Sequence, residues 1–493
     1  MIAAHLPVLI VVLPLFGALL AALSRHGPIA FAVSLAASLA AFAAAFAVLL
    51  QVRADGPISY RLGGWAPELG IEYRIDAVNA PILLLVTAMG ALAILYARRT
   101  VLAEIIPERI AWYYTMMSLC LAGLLGMAAT NDAFNIFVFL EISSLATYTL
   151  IALGRDSRAL VAAYQYLIVG TMGATFYVIG VGLLYLSTGT LNLSLIVERL
   201  PEVASPRAMI AAEAFILVGI SLKLALFPLH AWLPNAYAYA PSSASALLAS
   251  TATKVAVYLL ARYLFGVFGV HVTVGPISVA GVLIALSLAA MFLASASAVF
   301  QNDVKRLLAF SSVGQIGYIT LGLALANPAG LTGAFLHILN HAMIKGAAFM
   351  AIGAIVLRTG SCKLDELAGI GRTMPYSAAA LTIAGFGLIG VPGTSGFVSK
   401  WYLVLGAFDA GMGWLAILIV ASSVIAVLYV GRMLEIIWFR EPCQRSLEAR
   451  EAPVEVLVPT LALAALTIVF GISAEFPVSL ASQAATVLLG SRP

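Results

Sequence analysis

The chain has 493 residues, 62% of them hydrophobic and only 10% charged, with a formal net charge of +4. So little charge cannot solvate the surface of a protein this size, which excludes a soluble enzyme, and no basic cluster is large enough for nucleic acid. The three cysteines, Cys120, Cys362 and Cys443, form no CxxC pair and have no neighbouring histidine, so no metal, iron–sulfur cluster or other cofactor is expected.

Apolar segments of about 20 residues, the length that crosses roughly 30 Å of hydrocarbon, recur from end to end and predict about fourteen membrane-spanning helices. In chain order they cover 3–23, 28–52, 76–97, 109–129, 131–153, 159–187, 208–239, 242–265, 272–298, 302–326, 329–357, 374–407, 412–439 and 453–475. The first ends at Arg25-His26 without a small-residue cleavage signature, so it reads as a retained helix rather than a removed signal peptide. Alternate loops carry about fourteen Lys/Arg on one side, Arg98, Arg99, Arg155, Arg158, Lys305, Arg306, Lys363 and Arg440 among them, against about seven on the other. Both termini are therefore expected outside.

Two spans contain helix breakers. FPLHAWLP places Pro228 and Pro234 inside one, and GLIGVPGTSGFVSK places Pro392, Gly393 and Gly396 inside another, so both helices should be discontinuous. Such breaks are tolerated in a membrane only where protein or a hydrated cavity satisfies the freed backbone, and they occur at equivalent positions of repeated halves. The halves do correspond: Gly173, Phe176, Ile179 and Gly180 match Gly346, Phe349, Ile352 and Gly353, while EISSLATY at 141–148 parallels AFSSVGQIGY at 309–318. The expected organisation is all-α: a three-helix segment (1–108), two five-helix repeats (109–265 and 272–440), and a C-terminal helix and tail (453–493). Five is odd, so the second repeat enters from the opposite side and the repeats are inverted.

The charged residues inside these spans are the candidates for function, because a lysine in hydrocarbon costs roughly 3 kcal/mol or more. Glu141 is mid-span, and Lys223, five residues before Pro228, is the expected partner, as a functional pair or as a structural buried ion pair. Lys254 shares a helical face with Ser250 and Tyr258. His337, His341 and Lys345 follow at four-residue spacing beside Asn340, as a proton relay or as satisfied core side chains. A metal at the His pair lacks a third ligand. Lys400 is either a carrier or an interfacial snorkel beside Trp401. His230, with Pro228 and Pro392 at the breaks, is a candidate gate or a cap for freed carbonyls, and Lys305 either sets topology or feeds protons from its face. Arg432 and Glu435 read as a local pair.

In this order, an intramembrane Glu, FPLHAWLP after a Lys, SALLASTATKVAVYLLARY, NDVKRLLAFSSVGQIGY, HILNHAMIKGAAF and PGTSGFVSKWYL, the motifs resemble the antiporter-like proton-pumping subunits of respiratory complex I, membrane-bound hydrogenases and Mrp-type cation/proton antiporters. FVFLEISSLATYTLIALG and FPLHAWLPNAYAYAP most resemble the MrpD chains of the Mrp antiporters. PSSASALLA and PGTSGF replace the Pro-Pro turns of many such chains. The resemblance implies two half channels joined by a polar axis in the membrane plane. Glu141 and Lys223 would control the proton, Lys254 would bridge, His337, His341 and Lys345 would continue the path, and Lys400 would be the exit carrier. It also implies a bacterial inner membrane, other membrane subunits as partners, the lipid bilayer around them, and H+ and Na+ as transported ions. The alternative is a proton-pumping membrane subunit of a complex I-like NADH:quinone oxidoreductase or a membrane-bound hydrogenase.

Overall fold

The computed structural model describes residues 2–202, 206–269, 273–274 and 277–490. The three leading helices are α1 (Leu6–Ser24), α2 (Gly27–Asp55) and α3 (Ala80–Glu104). Between the last two lies a short antiparallel hairpin, β1 (Ile58–Arg61) paired with β2 (Glu72–Ile75). The first repeat holds α4 (Ile110–Ala129), α5 (Ala133–Ala152), α6 (Ser157–Thr188), the short α7 (Leu193–Arg199), and a broken helix made of α8 (Pro206–Leu224) and α9 (Leu233–Tyr239). It closes with α10 (Ser242–Ser250) and α11 (Ala252–Ala261), extended by a π-helical stretch at Arg262–Phe268. A second small hairpin, β3 (Thr273–Val274) and β4 (Ile277–Ser278), leads into the second repeat. That repeat comprises α12 (Val279–Ala289), α13 (Ser295–Val299), α14 (Val304–Leu325), α15 (Pro328–Thr359), a second broken helix of α16 (Pro375–Ile389) and α17 (Ser395–Asp409), and α18 (Gly413–Leu434). After the short α19 (Gln444–Glu448), α20 (Val454–Ile472) spans again and α21 (Glu475–Gly490) folds back onto α15.

Among the described residues, twelve helices are long and apolar enough to cross a membrane. The two broken helices bring the spanning elements to the fourteen expected. Both breaks lie where proline and glycine stand. Ala225 takes a positive φ of 60° and Pro228 follows it, while Gly390 and Gly393 turn the chain at φ 87° between α16 and α17. Pro234 is not a breaker but a starter, at the beginning of α9, where its missing N–H is no loss.

The repeats are visible in their caps. α6 and α15 are both 32 residues long. Asp156 and Asn327 cap their starts, and Gly189 and Gly360 end them in the left-handed conformation, each pair 171 positions apart. The Asp132–Asn192 and Asp303–Lys363 bridges keep the same spacing. The glycine match expected from sequence runs two residues out of this register, because small residues recur along any closely packed helix and only the caps pin the phase. Inversion follows from α3. Asn131 N–H donates to the Glu72 carbonyl before α3 begins, and Arg155 N–H to the Glu104 carbonyl where it ends. The start of α5 and the start of α6 therefore lie at opposite ends of one spanning helix. Asp303, which caps α14 as Asp132 caps α5, lines a cavity with Glu104, on the far side from Asp132.

One discontinuity has no proline. The eighth span bends at Thr251 (φ −126°, ψ −56°), where Ser250 and Thr251 hydroxyls both donate back to the Leu247 carbonyl. Ser/Thr back-bonding of this kind competes with the helical ladder.

Candidate functional site

Each helix break frees backbone carbonyls, and in both repeats polar side chains turn inward to meet them. In the second repeat Lys400 is buried and its Nζ donates to the carbonyls of Leu388 (3.0 Å) and Ile389 (2.9 Å) and to the Ser423 hydroxyl (3.0 Å). It also lies 4.4 Å above the Tyr318 ring. Of its two sequence readings, the snorkel is excluded: the amine points into the protein, and Trp401 is the exposed neighbour.

The Leu388 carbonyl has a second donor, Gln315 Nε2 at 3.2 Å. Gln315 Oε1 in turn is 2.8 Å from His337 Nε2, and His337 Nδ1 is 2.8 Å from the Ser399 hydroxyl. His337 and Lys400 are thus joined through one amide and one carbonyl, with Ser399 holding the other imidazole nitrogen, a chain that sequence reasoning missed because Gln315 and Ser399 are unremarkable alone. Asn340 Nδ2 donates to the Ser395 carbonyl (2.7 Å), tying α15 to the start of α17. Gly396 is required at this crossing, since a Cβ there would collide with the Gly387 carbonyl.

His341 stacks parallel to His337 with ring centroids 5.9 Å apart. It is buried, and among the described residues neither ring nitrogen has a protein partner. Buried polar atoms are satisfied almost without exception, so this imidazole requires water or a moving partner. Lys345 is fully buried and donates to the Leu308 carbonyl (2.7 Å) and the Ser311 hydroxyl. Lys254, just past the Thr251 bend, is buried and donates to the Ala249 carbonyl. Its expected stripe-mate Tyr258 is drawn away, donating to Ala128 O and accepting from Arg262.

The first repeat has the same plan in different residues. Lys223 is the last residue but one of α8, buried, and donates to the Ser144 hydroxyl. It lies 5.3 Å above Tyr166, which stacks on Trp232 at 3.8 Å. Trp232 Nε1 donates to the freed Leu222 carbonyl (3.0 Å). Tyr166 stands where the second repeat has His337, 171 residues on. Glu141 acts on Lys223 electrostatically, one helical turn from Ser144, but no ion pair within 4.0 Å joins them among the described residues. Ser144 lies on the same helix as Glu141, but its hydroxyl donates to the Leu140 carbonyl.

The remaining candidates separate. His230 stacks on Phe227 at 5.0 Å, and Pro228 beside it is exposed. Pro392, in the second break, is exposed as well. Lys305 is buried and donates to Ala240 O (3.3 Å) at the floor of a cavity of about 460 Å³ lined by Glu104, Asp156, Asp303 and Arg445 among others. The Arg432–Glu435 pair does not form: Arg432 donates to Val299 O and Asn302, while Glu435 meets Arg440 at 3.0 Å, because the helix turns π at Glu435 and swings the carboxylate off the shared face. Glu213, ten residues before Lys223, is a buried carboxylate with one oxygen unpartnered. Its acidic residue within an apolar span was the available signal.

Both broken helices carry a buried lysine, Lys400 on freed carbonyls and Lys223 on the Ser144 hydroxyl, and residues 130–426 around them match the family described as NADH:quinone oxidoreductase/Mrp antiporter, TM. The chain belongs to that family. It is 40% identical over 488 residues to the N-type subunit of the NADH-quinone oxidoreductase of Desulforudis audaxviator, covering 96% of each chain. It is 28% identical over 472 residues to the D-type subunit of the Na+/H+ antiporter of Alkalihalophilus pseudofirmus, covering 96% of this chain and 94% of that one. Its fold superposes on a chain of the Mrp complex from Dietzia sp. with a TM-score of 0.89 at 27% identity, over 99% of this chain and 98% of that one.

Proposed function

We propose that this chain is a proton-translocating membrane subunit of a multi-subunit complex, with residues 109–265 and 272–440 each forming a half channel. Protons enter through the cavity at Lys305, pass the Glu141–Lys223 region and Lys254, cross by His341, Lys345 and His337, and leave at Lys400. The observation that carries this is the chain from His337 through Gln315 and the Leu388 carbonyl to Lys400 at a helix break, with His341 unpartnered beside it among the described residues. A relay needs a site that can accept and release a proton. His230, Pro228 and Pro392 are the gating positions, where the breaks give the backbone room to change.

The driving force has two readings. Exchange of H+ for Na+ is what the antiporter relative is named for, and redox-driven pumping is what the quinone oxidoreductase relative suggests; the 40% identity to the latter against 28% to the former favours the redox-linked assembly. Partner subunits are needed on either reading. Glu141 is half-buried between exposed Val138 and Leu145 on α5, and a carboxylate near the lipid-facing side of a span calls for a protein neighbour. The basic loop residues Arg155, Arg158, Lys363 and Arg445 gather around the Lys305 cavity, which supports a cytoplasmic location for that face, with both termini outside a bacterial inner membrane.

The test is ΔpH in inverted vesicles holding the whole complex, energised by NADH or by a Na+ gradient, for wild type and Lys223→Ala, with assembly checked on a native gel. NADH-driven ΔpH lost in the variant supports the redox-linked reading, and Na+-driven ΔpH lost supports antiport. Unchanged ΔpH in an assembled variant refutes translocation through this site.

A further inference from the structure

On the face that carries Glu104, away from the polar axis, a groove of about 480 Å³ opens between the start of α2, the end of α3 and the start of α4. Its walls are apolar, from Phe31, Leu102, Ile110 and Tyr114, and its polar rim is Arg98 and Arg99. The two arginines are not equivalent. Arg99 makes an ion pair with Glu455 at 2.8 Å. Arg98 lies 5.5 Å above the Phe31 ring, is exposed, and has no carboxylate within ion-pair distance among the described residues.

We infer that this groove binds the phosphate headgroup of an anionic phospholipid, with Arg98 as the phosphate ligand. Three observations select a lipid. Gly27 and Ile110 are the first residues of their helices and Glu104 the last of α3, so the groove lies where hydrocarbon meets headgroups. Trp112, half exposed on the first turn of α4, sits at the level that interfacial aromatics occupy. A charged fork above apolar walls matches a ligand that is phosphate at one end and acyl chain at the other, and the planar guanidinium is suited to phosphate oxygens. A free phosphate would leave the apolar walls bare. An acidic residue of a neighbouring protein would use the charge but not need the lipid.

The intact complex is reconstituted into nanodiscs of phosphatidylcholine with a minority of phosphatidylglycerol, and retained lipids are counted by native mass spectrometry. One arginine near a membrane surface contributes about 1 kcal/mol toward an anionic lipid, so Arg98→Gln should lower the preference for phosphatidylglycerol about fivefold while phosphatidylcholine is unchanged. Arg98→Lys should keep most of it. If Arg98→Gln does not assemble, Leu102→Trp, which fills the groove and keeps both arginines, is read instead and should expel the same lipid. Equal phosphatidylglycerol retention in wild type and variant overturns the assignment. So does displacement of the lipid by millimolar inorganic phosphate, or a cross-link placing a partner's carboxylate at position 98. These readouts do not depend on ΔpH, and the inference stands apart from the translocation proposal.

Discussion

The carbonyl oxygen of Leu388, freed where α16 ends, accepts from Lys400 Nζ at 3.0 Å. The residue proposed to release the proton is therefore also the one that satisfies the broken backbone. Structure and transport are coupled there, since moving the amine away takes a donor from Ile389 and leaves Leu388 with Gln315 Nε2 alone.

Lys400→Met keeps volume and removes the donor. The Ile389 carbonyl then loses its lysine donor, at about 1–3 kcal/mol where water cannot replace it, while Leu388 keeps Gln315 Nε2. ΔpH should be abolished and the melting temperature of the purified chain lowered. A variant that melts normally would mean water already serves that carbonyl.

His337→Gln should separate relay from packing. Glutamine reaches Gln315 and Ser399 as a hydrogen-bonding side chain but does not titrate near neutral pH. Assembly is expected to be normal and proton flux to fall at least tenfold, the effect of about 1.4 kcal/mol on a barrier. Flux within twofold of wild type would assign His337 to packing.

Ser144→Ala removes the acceptor that stands between Lys223 and the helix carrying Glu141. A hydrogen bond to a charged group contributes roughly 1.5–3 kcal/mol, so coupling through this position should show as a flux loss of about tenfold or more. The decisive comparison is a double-mutant cycle with Glu141→Gln. Strict additivity would mean Glu141 and Lys223 do not communicate through Ser144.

Gly396→Ala is predicted to be the most disruptive single-methyl change in the chain's second repeat. The added carbon meets the Gly387 backbone carbonyl rather than a flexible side chain, so the crossing of α16 and α17 must shift. Overpacking of this kind destabilises by typically 1–3 kcal/mol or more. Lower yield of assembled complex on a native gel is the expected result, and normal yield with full flux would contradict the crossing.

Asp76, in the loop before α3, meets Arg262 at 2.6 Å and is largely buried. Burial alone would raise its carboxyl, but the Arg262 guanidinium and the Val78 and Asn79 amides outweigh it and hold the pKa below the ordinary 3.8. A depressed carboxyl stabilises the fold above its unfolded value, and that contribution is lost as pH falls through the lower folded value. Wild-type stability should therefore drop on acidification below about 3.8, with a smaller drop in Asp76→Asn, which is itself less stable by about 3–5 kcal/mol for stranding Arg262. Identical acid melting curves for the two would rule the pair out as the source.

The spans, the two proline and glycine breaks and the identities of the buried charged residues were legible in the chain itself, because hydropathy, a missing N–H and a charge in an apolar run are local properties. What each charge touches was not. Lys223 finds Ser144 from 79 residues away, Lys400 finds Ser423 from 23 away, and the His337–Gln315–Leu388 chain joins three helices. Local spacing even misled at Arg432 and Glu435, where a π turn redirected both, and it gave no sign of the Thr251 bend or of α21 beyond the last span. Sequence by itself determined which groups must be buried; only packing decided which donor met which freed carbonyl, since a hydrogen bond depends on positions fixed by helices distant in the chain.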